Sequence, residues 1–94
     1  MLDISRGDDG SVRLRGRLDA VQAEKQAAVF ASFTSPCVLD CKELDYISSA
    51  GLGLLFGTHK KLMSSGGGLR LINLKPHIRE LFAIAHFDSI FQID

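Results

Sequence analysis

Apolar and polar residues alternate at the start of the chain. In Met1 to Arg6, Leu2 and Ile4 point one way and Asp3 and Ser5 the other, the period-two pattern of a strand. Gly7-Asp8-Asp9-Gly10 reads as a turn, because Gly and Asp tolerate the positive φ of a tight hairpin. Ser11 to Leu18 alternates again, with Val12, Leu14, Gly16 and Leu18 inward and Arg13, Arg15 and Arg17 outward. The opening is therefore predicted to be a β-hairpin. Asp19 is a candidate N-cap for a helix over Ala20 to Phe33, a stretch rich in good helix formers that Thr34-Ser35-Pro36 ends.

Cys37 to Cys41 is a short apolar run, expected to be a strand buried on both faces, and Leu44, Tyr46 and Ile47 lead from it toward a second helix. Leu52 to Ser65 carries apolar residues at 52, 55, 56, 62 and 63, the stripe of an amphipathic helix. Gly53 and Gly57 each cost that helix up to about 1 kcal/mol relative to Ala, which suggests close approach to a sheet or a partner. Ser64 to Gly68 is the stop, and Leu69 to Leu74 alternates as a strand. Pro76 suits a first helical position, Ile78, Leu81, Phe82 and Ala85 form one helical face, and Ile90 to Ile93 reads as a last short strand. The order β-β-α-β-α-β-α-β implies right-handed crossovers. The expected class is α/β: one domain over residues 1–94, with a small mixed, mostly parallel β-sheet of four to five strands and helices packed on it.

Composition narrows the functional classes. Lys plus Arg and Asp plus Glu number 11 each, so the net charge is zero, whereas a general nucleic-acid binder carries a basic excess. Arg13, Arg15 and Arg17 read as a solvated face, since no aromatics interleave to stack bases. Cys37 and Cys41 lack the spacing of a redox or zinc motif and His59, His77 and His86 are scattered, so free thiols and no metal or other cofactor are expected. No signal peptide opens the sequence and no apolar run is long enough to span a bilayer, which predicts a cytoplasmic protein not inserted in the membrane.

The informative segment runs from Val38 to Gly53: an apolar strand, a loop, Ser48-Ser49-Ala50-Gly51, then a helix. Small residues at a helix start leave backbone N–H groups accessible, and the macrodipole favours an anion there. Such a site can hold a phosphate, from a ligand or from modification of a serine. On chain physics alone, a serine here is more often a simple N-cap. A nucleotide loop is disfavoured, because no Gly-x-x-x-x-Gly-Lys is present and Gly66 to Gly68 ends a helix. Asp40 and Asp45 could pair for acid–base chemistry, but acids around a strand end are more often solvated or bonded to backbone N–H groups. No enzymatic activity is expected.

Tyr46-Ile47-Ser48-Ser49-Ala50-Gly51-Leu52-Gly53, after the strand Val38 to Cys41, resembles the signature of STAS domains, particularly the bacterial anti-sigma factor antagonists. Gly16-Arg17-Leu18-Asp19-Ala20 resembles that family's strand-to-helix corner, and Leu69 to Pro76 followed by Ile78 to Phe87 its later strand and helix. The family's loop usually reads Asp-Ser-Ser-Gly-Leu, and matching by position implies Ser49 as the phosphorylation site, with Ser48 a competing hydroxyl. Here Ser48 stands where the family often has Asp, and Ala50 where it often has a second Ser. Many relatives continue into a further C-terminal helix, whereas this sequence ends at Asp94, which implies a partner surface built differently there.

The resemblance implies a partner-binding set of Asp19, Ser48, Ser49, Ala50, Gly51 and Leu52. It implies a bacterial partner-switching circuit in signal transduction and transcription regulation. The unphosphorylated protein binds an anti-sigma factor that is also a serine-protein kinase. Phosphorylation of Ser49 releases it, and a PP2C-type phosphatase resets the cycle. Two other readings stay open: a non-phosphorylated accessory subunit of a membrane transporter complex, or a nucleotide or small-anion binding module.

Overall fold

The computed structural model describes residues 1–94. The alternating opening folds as the expected hairpin, β1 (Leu2–Arg6) against β2 (Val12–Leu18), antiparallel with Ile4 opposite Leu14. Gly10 supplies a positive φ of 84°, and the Asp9 carboxylate accepts from the Ser11 N–H and hydroxyl at 3.0 and 2.7 Å. Then come α1 (Ala20–Lys25), α2 (Ala27–Ala31), β3 (Cys37–Ile47), α3 (Ser49–Met63), β4 (Leu69–Ile72), α4 (Pro76–Ile84) and β5 (Gln92–Ile93). The strands lie in the order β1-β2-β3-β4-β5, and every pair after the first is parallel. This is a mixed, mostly parallel five-stranded sheet with helices packed on it, the class the periodicity indicated.

Four local expectations are corrected. The stretch from Ala20 to Phe33 is two short helices, broken at Gln26 (φ −98°, ψ 3°). There the Gln26 side chain donates to the Leu2 carbonyl while the Gln22 side chain accepts the Leu2 N–H, both at 3.3 Å, so two helix glutamines occupy backbone groups of the edge strand. Such occupied groups are no longer open to a foreign strand. Second, β3 runs eleven residues, through the stretch taken as a lead into the next helix. Between Arg13 and Arg15 its register advances from Asp40 to Glu43, and between Gly16 and Arg17 from Leu44 to Tyr46. Each shift adds one residue to β3, as a β-bulge does. The inward residues are therefore Leu39, Cys41, Leu44 and Ile47, a spacing that drifts from two to three and hides the strand in the sequence.

Third, β3 is interior to the sheet but buried on one face only. All core side chains fall in a single cluster of 20 residues that joins one sheet face to the helices, with Phe30, Phe82, Leu39 and Leu55 fully enclosed. Lys42 and Glu43 on the other face are exposed, and Asp40 and Tyr46 half-buried. That face also carries the three β2 arginines, each opposite a suitable neighbour. Arg15 is in register with Asp3 and bonded to Glu43 (3.3 Å), Arg13 is in register with Asp40, and the Arg17 guanidinium lies 4.3 Å from the Tyr46 ring centroid. The arginine stripe is a solvated face, with Arg15 paired to Glu43 and Arg17 stacked on Tyr46.

The fourth correction concerns glycine. A methyl at Gly53 or Gly57 would meet nothing within 4 Å, so neither marks a close approach to the sheet. Gly51 does that instead, as described below. Gly16 is needed for a different reason: its φ is 107°, and a Cβ there would run into the Met1 carbonyl oxygen, which already accepts the Arg17 N–H at 2.9 Å. His59 closes the far end of the domain, where its Nδ1 accepts the Leu69 N–H at 2.9 Å and its ring packs 4.9 Å from that of Phe91. The tie joins the last turns of α3 to the start of β4.

Gly16→Ala is expected to lower unfolding stability by about 1–3 kcal/mol or more, since left-handed strain and a backbone clash add. Urea titration checks this; an unchanged midpoint would mean that the Met1 carbonyl does not press on Gly16.

Candidate functional site

The site is built where β2 and β3 end side by side. Leu18 and Ile47 are register partners, so Asp19 and Ser48 leave the sheet on adjacent parallel strands, each into a helix. Asp19 is the N-cap of α1, its Oδ1 accepting from the Gln22 N–H at 2.9 Å. Ser48 is the N-cap of α3, extended at φ −93° and ψ 172°, its Oγ accepting from the Gly51 N–H at 3.2 Å. Helix α3 therefore begins at Ser49, three residues before the apolar stripe starts.

One carbonyl holds the corner together. The Leu18 oxygen accepts the Ser48 N–H at 3.0 Å and lies 3.5 Å from the Ser48 hydroxyl. A methyl on Gly51 would sit 2.6 Å from that oxygen, 2.8 Å from Leu18 Cγ and 2.9 Å from Ile47 Cγ1. Separations under 3 Å are not tolerated by close-packed atoms, so only glycine lets the first turn of α3 rest on the ends of both strands.

The six candidate residues divide by position. Gly51 and Leu52 face the interior and support the turn, Ser48 and Asp19 are half-buried caps, and Ser49 and Ala50 are exposed. The Ser48 hydroxyl is engaged in the fold, whereas the Ser49 side chain stands at the surface. The first turn of α3 holds no acid, and its last turn carries Lys60 and Lys61. The positive end of its dipole is left open to an anion.

Asp40 and Asp45 are occupied rather than poised for catalysis. The Asp40 carboxylate accepts from the Lys42 N–H (3.0 Å) and from Asn73 (3.1 Å). Asp45 pairs with Lys75, and His77 Nε2 lies 2.8 Å from the Asp45 carbonyl oxygen. The Lys75 hydrogen bond and charge hold the Asp45 carboxyl below its ordinary value of 3.8, with smaller help from His77 and Arg17. Lys75 and His77 thus fasten the turn before α4 to the end of β3, just ahead of the serines. Neither residue was singled out from the sequence, where a lone Lys and His some thirty residues from Asp45 carry no local signal. Both cysteines are free thiols, and burial pushes Cys41 up to about 12.

Comparison with known proteins agrees with this architecture. The sequence profile of the STAS domain matches residues 4–94. The chain belongs to the STAS domain family. Its relatives include proteins named as anti-sigma factor antagonists. BtrV of Bordetella bronchiseptica, which carries that name, is 42% identical over 84 residues, spanning 85% of this chain and 72% of BtrV. The anti-sigma-B factor antagonist of Bacillus subtilis is 28% identical over 96 residues, 98% of this chain and 88% of that protein. Among solved structures, a Thermotoga maritima protein of the same description superimposes with a TM-score of 0.78 at 24% identity, covering 99% of this chain and 85% of that one. Phosphorylated SpoIIAA of Bacillus gives 0.69 at 20% identity, covering 100% and 91%. These two likenesses establish the fold. No helix is long and apolar enough to cross a membrane.

Two measurements check the electrostatics. A carboxyl whose folded value is depressed adds stability above its unfolded value and loses it as pH falls through the folded one. NMR titration should therefore find Asp45 below 3.8 in the native protein and nearer to it in Lys75→Met; equal values would dissolve the pair. A thiol reagent at mildly alkaline pH should leave Cys41 unmodified until the protein unfolds, because the thiolate is the reacting form and burial suppresses it.

Proposed function

We propose that this STAS domain is a phosphorylation-controlled partner-switching protein of the cytoplasm, an anti-sigma factor antagonist. Unphosphorylated, it binds an anti-sigma factor that is also a serine kinase. Transfer of phosphate to Ser49 ends the complex, and a PP2C-type phosphatase restores it. The ATP chemistry belongs to the partner, and this chain contributes the hydroxyl and the surface around it, with Asp19 and Ala50 at its rim.

The observation that carries this reading is the exposure of Ser49 at the open positive end of α3, beside a Ser48 whose hydroxyl is already bonded. The relatives named as antagonists support it, and SpoIIAA, which shares the fold, exists in unphosphorylated and phosphorylated forms. Physically, phosphate brings roughly −1.5 to −2 charges at neutral pH. At a helix N-terminus that charge is tolerated, so the fold survives modification. Across a docked interface the same charge must be desolvated, which costs several kcal/mol without a matched cation. A loss of only about 1.4 kcal/mol already weakens binding tenfold.

Ser49→Asp is expected to bind the kinase partner at least about tenfold more weakly than Ser49→Ala, read by calorimetry, with both variants melting near the wild type. Equal affinities would refute the charge mechanism. Mass spectrometry of protein from its native host should place phosphate on Ser49, and phosphate confined to Ser48 would overturn the residue assignment.

A further inference from the structure

Ser48 is tied into the corner through its N–H, its hydroxyl and its carbonyl. Its N–H donates to the Leu18 carbonyl at 3.0 Å, its hydroxyl lies 3.5 Å from that same oxygen, its Oγ accepts the Gly51 N–H at 3.2 Å, and its own carbonyl accepts the Leu52 N–H at 2.9 Å. Gly51 lies so close to Leu18 and Ile47 that no side chain fits between them, so the turn that Ser48 caps rests directly on the two strand ends. Ser48 is half-buried and Ser49, the next residue, is exposed.

We infer that Ser48 is a positioning residue for Ser49: by pinning the first turn of α3 to the Leu18 carbonyl it holds the Ser49 hydroxyl outward in one orientation and takes its own hydroxyl out of competition. The inference rests on Ser49 as the modified residue and adds how one of two adjacent serines is selected. A phosphoryl-transfer enzyme needs the acceptor hydroxyl in a narrow geometry, and small displacements there are costly to rate. In Ser48→Ala the Gly51 N–H loses its side-chain acceptor, the first turn frays, and Ser49 samples orientations that do not react. Ser48→Asp and Ser48→Thr both retain a capping oxygen at this position.

The test uses the full chain, lysate of the native host as the source of kinase, and labelled ATP. Sites are assigned by peptide mass spectrometry, and hydrogen exchange is followed at the Ala50 and Gly51 amides. Wild type is expected to take label at Ser49. Ser48→Ala should take it measurably more slowly and should exchange about fivefold faster at Gly51, the change in opening equilibrium that the loss of one cap brings. Ser48→Thr should recover both, and Leu69→Val, a core variant paired with Cys37 at the opposite end of β3, should lower the melting temperature without slowing the label. A general loss of stability would slow the two destabilised variants alike, which would overturn the proposal. Label entering Ser48→Ala at the wild-type rate with unchanged Gly51 exchange would also overturn it while leaving the switch intact. Wild type that takes label on neither serine would instead remove the phosphorylation reading, and this inference with it.

Discussion

The Leu18 carbonyl oxygen ends β2 and begins everything that follows β3. It accepts the Ser48 N–H, borders the Ser48 hydroxyl and leaves no room for a side chain at Gly51. Because Leu18 and Ile47 are paired, this contact makes two parallel strands stop together and sends two helices away from neighbouring points. A polar group this enclosed has to be satisfied, and here the satisfaction comes from a residue thirty positions away. The direction of α3, and with it the exposure of its first residues, is therefore set by a contact between elements. Nothing in the helix's own sequence could set it.

The sheet has one covered face and one bare one, and the bare face carries charges of both signs. In a protein with equal numbers of acids and bases this could have been arranged many ways. The register places Asp3 and Glu43 on either side of Arg15, Asp40 opposite Arg13 and the Tyr46 ring under Arg17. Cross-strand pairs of this kind add a few tenths to about 1 kcal/mol each, and exposed pairs lie at the low end. Their larger effect is to set acidic side chains among the arginines, so that the stripe is not continuously basic. The proposed functional surface lies at the strand ends, where the α3 dipole supplies a positive field and the first turn holds no acid.

Hairpin, solvated arginines, capping Asp19 and the parallel order of the later strands were all legible, because each depends on local periodicity or on a single residue's chemistry. The assignment of Ser49 came from resemblance to a family, and the residues alone left capping and modification both open. Bonding then separated the two serines into a cap and an exposed neighbour. The length of β3 was not legible. Two bulges stretch its inward spacing from two to three, and a periodicity argument cannot see an extra residue that only the partner strand reveals. The break at Gln26 was hidden for a related reason, since good helix formers continue through it and the competing bonds go to Leu2.

By itself, then, the sequence determined the class of fold and which segments turn, pair or coil, since those follow from the alternation of apolar residues and from the conformational limits of Gly, Pro and Asp. Tertiary structure alone decided which glycine of α3 is indispensable. Gly53 and Gly57 look as significant as Gly51 in a string of letters, yet only Gly51 meets another strand. It likewise decided that Lys75 and His77 brace the end of β3 and that Leu18 supports Ser48. These are contacts between residues about thirty positions apart, and such distances are fixed by packing, on which local propensity has no hold.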